Sequence, residues 1–193
     1  MSRPEMKLRP GPARAPEFLP YGFAHQAYAG DDVLLIQQAQ AGRWQAFAEL
    51  ATRYDRSILG LALQLTGSER EGLKLFQRSL TTAYRELYSY RFQCSFYIWI
   101  HRIVAKSCLE FLQEGHASAP ANELDVAIQQ LSPRERMVME LKLCFGLKLE
   151  TIASILEIQE SAARNALVRA TVTLQLGIRN EDCPKTALKS NGC

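Results

Sequence analysis

The chain has 193 residues, 47% hydrophobic, 22% charged and 9% aromatic, with 23 basic against 20 acidic residues for a formal net charge of +3. That is too apolar for a chain disordered throughout, and no run approaches the roughly 18 apolar residues needed to span a bilayer. The length suits one domain or two small ones, and so mild a charge neither requires a nucleic-acid partner nor excludes one.

The first 30 residues hold five of the eight prolines (Pro4, Pro10, Pro12, Pro16 and Pro20) and carry a charge of +2 from Arg3, Lys7, Arg9 and Arg14 against Glu5 and Glu17. Proline removes backbone donors and turns its predecessor away from helix, so residues 1–30 read as an irregular arm. The segment is basic but lacks the apolar core of a signal peptide. From Asp31 onward the pattern is helical. Asp31 or Asp32 can cap a first helix, bearing Val33 to Ile36 and stopping near Gly42. A second runs from about Arg43 to Leu65, with Trp44, Phe47, Leu50, Tyr54, Ile58, Leu61 and Leu65 at three- and four-residue steps, and Thr66-Gly67 closes it. Ser68 to Glu71 has the form of a capping box and opens a third helix to about Tyr88, with Leu73, Phe76, Leu80, Ala83, Tyr84 and Leu87 as its buried stripe. A fourth spans about Ser95 to Gln113.

Residues 115–122 are small, polar and proline-containing, and read as a linker. A short helix follows over Glu123–Gln130. Ser132-Pro133-Arg134-Glu135 is a second capping box with proline at the first helical position, and that helix ends at Phe145-Gly146. Two more helices follow, Leu149–Leu156 and Glu160–Leu176, and residues 177–193 read as a frayed tail. No alternating strand pattern occurs. The expectation is an all-α protein of two small helical domains (31–114 and 123–176) joined by a short linker.

Five cysteines (Cys94, Cys108, Cys144, Cys183 and Cys193) form no C-x-x-C pair, and the three histidines stand apart from them and from one another. Neither a disulfide framework nor a zinc site follows, which suits a reduced cytoplasm. No nucleophile–base pair, carboxylate dyad or phosphate loop is recognisable, so the chain does not read as an enzyme and implies no cofactor.

The last two helices, joined by a turn of a few residues, have helix-turn-helix form, whose second helix can enter a major groove. Ile152, Ala153, Leu156, Ile158, Ala163, Leu167 and Ala170 would pack the pair. Arg164, Asn165 and Arg169 would face outward, toward phosphates or base edges. An antiparallel helical pair in a small bundle gives the same apolar pattern, so spacing alone leaves DNA binding and plain packing both open.

Three stretches carry a family resemblance: AGRWQAFAELATRY, FQRSLTTAYRELYSYRFQCSFYIWIHRI, and LSPRERMVMELKLCFGLKLETIASILEIQESAARNALVRA. In this order and separation the chain resembles the extracytoplasmic-function (ECF) sigma factors of bacterial RNA polymerase, over about residues 31–176. The resemblance implies a first domain that binds core polymerase and holds the melted promoter strand, and a second that reads the upstream element. Carried over by position, Lys74, Gln77 and Arg78 fall on the polymerase-binding surface. Phe96, Trp99, Arg102 and Lys106 fall on the helix facing the melted strand, and Arg164, Asn165 and Arg169 on the recognition helix. It implies promoter DNA, core polymerase and an anti-sigma factor as partners.

Departures from the family pattern are Lys74 and Arg78 where acidic residues are usual, Ala166 and Val168 where basic or polar ones are common, and Glu157 at a turn position usually glycine. A divergent sigma-like regulator that binds DNA without docking on polymerase, and a protein-interaction module, stay open as alternatives.

Overall fold

A computed structural model describes residues 29–115 and 123–179 of the chain. The arm over 1–28, the segment 116–122 on which the linker falls, and the tail from 180 lie outside the described residues. The described residues form eight α-helices, with no strand among them: α1 (Ala29–Gln40), α2 (Trp44–Thr66), α3 (Glu69–Glu86), α4 (Phe96–Gln113), α5 (Glu123–Gln129), α6 (Pro133–Leu143), α7 (Leu149–Leu156) and α8 (Glu160–Arg179). A 3-10 turn, Leu87–Ser89, follows α3.

The long apolar stripe of α2 is the spine of the first lobe. Phe47, Leu50, Tyr54, Ile58, Leu61 and Leu65 are buried along it, whereas Trp44 stays exposed at its start. Gly67 ends the helix in the left-handed region (φ 63°), donating its N–H to Leu63 O at 3.0 Å. Only glycine takes that conformation without a Cβ penalty, so the chain can turn back at once into α3.

Two expectations change in this lobe. The buried row of α3 is Gly72, Leu75, Ser79 and Ala83, and Leu73 and Tyr84 are exposed. The cause is close packing: a Cβ on Gly72 would lie 2.7 Å from the Leu63 side chain, so the row of small residues faces α2. Asp32 is not a cap either. The helix already begins at Ala29, and Asp32 turns inward, where it pairs with Arg53 at 2.9 Å and accepts a hydrogen bond from the Tyr54 hydroxyl. A buried carboxylate needs such partners to offset its lost hydration.

In the second lobe the Ser132–Glu135 capping box is complete. Glu135 N–H donates to Ser132 Oγ at 3.3 Å, and Ser132 N–H donates to Glu135 Oε2 at 3.0 Å. At Ser68 the hydroxyl likewise accepts from Glu71 N–H, and the Glu71 carboxylate is engaged by Lys74 at 2.8 Å. The α7–α8 pair packs through Ile152, Ala153, Ala163 and Ala166, all buried, with Leu156, Ile158 and Leu167 half-buried beside them, whereas Ala170, expected on this face, is buried instead against Leu131 and Met139. Small residues at these positions let the two backbones approach closely. Helix α8 runs to Arg179, so the segment 177–179 expected to fray belongs to the helix.

The two lobes share one continuous apolar core. Helix α4 lies along α7, and both α2 and α4 touch α6. Ile100, Ile103 and Val104 of α4 belong to the same buried cluster as Met137, Leu141, Ile152 and Ile155.

Candidate nucleic-acid interface

The turn before α8 keeps the geometry expected of a helix-turn-helix with an unusual residue in it. Glu157 adopts φ 54° and ψ 43°, the left-handed region, and its N–H donates to Ala153 O. An L-residue there is strained by about 1–2 kcal/mol. Its carboxylate reaches the other lobe, lying 3.3 Å from Arg102 Nη1, while Arg102 Nε donates to Ser154 O at 2.8 Å.

Beyond that turn, α8 buries Ala163, Ala166 and Ala170 and exposes Ser161, Arg164, Asn165, Val168, Arg169 and Val172. Arg164 and Arg169 stand about 140° apart around the helix axis at 3.6 residues per turn, with Asn165 between them. Both arginines point outward, with side chains 62% and 64% exposed. Each has a carboxylate partner at 2.6 Å, Arg164 through Nη2 to Glu160 on its own helix, and Arg169 through Nε to Glu135 of α6. The Arg169 guanidinium holds the Glu135 carboxyl below the usual carboxylate range.

The four α4 residues divide. Phe96 is 4% exposed and lies among Tyr54, Tyr90 and Trp99 with ring centroids 5.3–6.0 Å apart, so it cannot offer a face to an unpaired base; this corrects the expectation for that residue. The reason is its place at the start of α4, where the chain returns from the 3-10 turn and seals the end of the first lobe's core. Trp99 is half-buried against Tyr90 and Phe96, and with Arg102 and Lys106 it lines a groove of about 540 Å³ between α4 and the end of α7. Lys106 is exposed.

Lys74, Gln77 and Arg78 lie on one exposed face of α3. Arg78 Nη2 stands 4.0 Å from Glu110 of α4, and Lys74 and Arg78 edge a groove of about 640 Å³ floored by Leu75 and Phe111. Sequence reasoning missed the partners of these cations. The capping box picked out Glu135, but nothing in the spacing of residues 34 apart pointed to Arg169, and the reach of Arg102 to Ser154 and Glu157 depends on how the lobes pack.

A helix-turn-helix lobe presenting a polar, arginine-flanked helix, packed against a four-helix lobe, makes this a two-part helical protein. Residues 121–174 match the family described as Sigma-70, region 4. The RNA polymerase sigma-H factor of Pseudomonas aeruginosa is 27% identical over 172 residues, covering 72% of this chain and 89% of that protein. The ECF RNA polymerase sigma-E factor of Salmonella typhimurium is 24% identical over 172 residues, covering 72% and 90%. In solved structures the fold is similar to a chain of the CnrH complex with the cytosolic domain of CnrY (TM-score 0.63, 20% identity, 78% of this chain and 98% of that one). It is also similar to a chain of the complex of sigma factor RpoE with anti-sigma factor NepR from Bartonella quintana (TM-score 0.56, 15% identity, 70% and 98%). Over most of its length the chain is thus similar to ECF sigma factors, and residues 121–174 match a sigma-70 region 4 domain.

Proposed function

We propose that the chain is a sigma factor that binds core RNA polymerase and directs it to a set of promoters, catalysis remaining with the polymerase in the cytoplasm. The observation that carries this reading is the solvent-facing side of α8, where Asn165 sits between two outward arginines in a region 4 domain. Arginine reads guanine through a two-donor fork and asparagine reads adenine the same way, so this face suits a major groove. On the first lobe, Trp99 supplies a stacking surface and Arg102 and Lys106 the charge for a melted strand, with Phe96 supporting the tryptophan from the core. Lys74, Gln77 and Arg78 form the polymerase-facing side, and an anti-sigma factor is a further partner by likeness to the relatives.

Run-off transcription and duplex binding with purified core polymerase test this. Arg164→Ala with Arg169→Ala is expected to weaken promoter binding at least tenfold, since one base-directed arginine is worth about 1–3 kcal/mol. No holoenzyme at low salt and no duplex binding would refute it. Duplex binding without holoenzyme would leave the regulator reading in its place. In that case Lys74→Asp with Arg78→Glu should raise polymerase affinity, because a charge of the wrong sign works against complementarity.

A further inference from the structure

Glu135 uses its carboxylate twice. Oε2 accepts from Ser132 N–H at 3.0 Å and so completes the cap of α6, while Oε1 accepts from Arg169 Nε at 2.6 Å. The side chain is only 15% exposed, and the cap helps to hold it in place. Arg164 differs: its carboxylate partner lies on its own helix, both groups are open to solvent, and one Nη is occupied. At Arg169 the bond goes to Nε, and among the described residues the two Nη groups carry no hydrogen bond. They form the end-on fork of the guanidinium, on a side chain that is 64% exposed.

Two consequences follow from elementary electrostatics. A guanidinium anchored at Nε loses the freedom of its terminal torsion, so its remaining fork is held ready for a planar pair of acceptors. Its charge is also matched by a carboxylate 2.6 Å away, so it adds little to the sequence-independent pull of phosphates. An arginine that is aimed and neutralised contributes direction more than attraction.

We propose that Glu135 is a specificity-determining positioning residue: it holds Arg169 so that the Nη pair reads a base edge, and it suppresses that arginine's indiscriminate attraction to DNA. The inference rests on the reading of α8 as the DNA-facing helix. The test uses the full-length chain and two probes. One is a duplex enriched by the wild-type protein from a random-sequence pool, the other a scrambled duplex of equal length and composition.

Glu135→Gln keeps an acceptor for the capping box and removes the charge. The ratio of affinities for the two probes is expected to fall about tenfold, within the range one bidentate base contact supplies. Scrambled-duplex binding should strengthen, its log–log salt slope steepening by about 0.9 for one added phosphate contact. Arg169→Lys, which keeps the charge and loses the fork, should lower the ratio and leave the slope unchanged. An unchanged ratio and slope in Glu135→Gln overturns the inference alone, as does an equal loss on both probes that tracks a fall in Tm. A wild-type chain that enriches no sequence overturns the DNA reading of α8 and this inference with it.

Discussion

Replacing Glu157 separates the strain of the turn from the value of the contact it makes. With φ at 54° the residue bears about 1–2 kcal/mol that glycine would not. Its ion pair with Arg102 joins a carboxylate 71% exposed to a guanidinium 32% exposed, so solvent screening limits the pair to about 0.2–1 kcal/mol. Glu157→Gln removes the charge and keeps the strain, and is expected to destabilise by no more than about 1 kcal/mol. Glu157→Gly also loses the pair but relieves the strain, less about 0.4–1 kcal/mol for the greater freedom of glycine in the unfolded chain. The glycine variant should therefore be the more stable of the two by about 1 kcal/mol, or roughly 2–4 °C in Tm for a chain of this size. Thermal melts at low and high salt measure both effects, and the deficit of Glu157→Gln should shrink as salt rises. A glycine variant less stable than the glutamine variant would refute the account of the turn, and a salt-independent deficit would refute the account of the ion pair.

Ile100→Ala should lower stability by about 2–5 kcal/mol, read as a large fall in Tm, because the side chain is fully buried in the core shared by the lobes. The depressed Glu135 carboxyl contributes stability that is fully present above the ordinary value of 4.5 and is lost as pH falls through its lower folded value. Tm measured down that acid limb should therefore fall less steeply for Glu135→Gln than for wild type. Burial pushes the Cys108 thiol up to about 12, and burial with the nearby Glu140 carboxylate does the same for Cys144. Neither should react with iodoacetamide near pH 8 until the chain unfolds, as peptide mapping of labelled protein will show.

The helices were readable from the sequence because each has local punctuation. Ser68, Ser95 and Ser132 accept the capping bonds, Gly67 takes the left-handed stop, and the α7 bounds match those expected from apolar spacing alone. The buried row of α3 was misplaced because Gly72 has no hydropathy, and its importance lies in how near α2 comes. Phe96 and Trp99 occur three residues apart on one stripe, yet one is sealed and the other lines a groove. Periodicity cannot separate them, since Tyr90 touches both and the difference comes from Tyr54, which packs on Phe96, and from the second lobe beside Trp99. The pairing of Arg169 with Glu135 depends on long-range packing and has no local signature.

The apolar core that runs unbroken from α2 and α4 into α6 and α7 has a thermodynamic implication for anything that grips both lobes. A partner that needs them separated meets only the fraction of molecules in which that seam has parted, and its apparent affinity is diluted by the same fraction. A partner content with the joined form meets the whole population. Widening the seam, as by trimming the wholly buried Met137 or Ile152, would therefore shift the balance between two such partners.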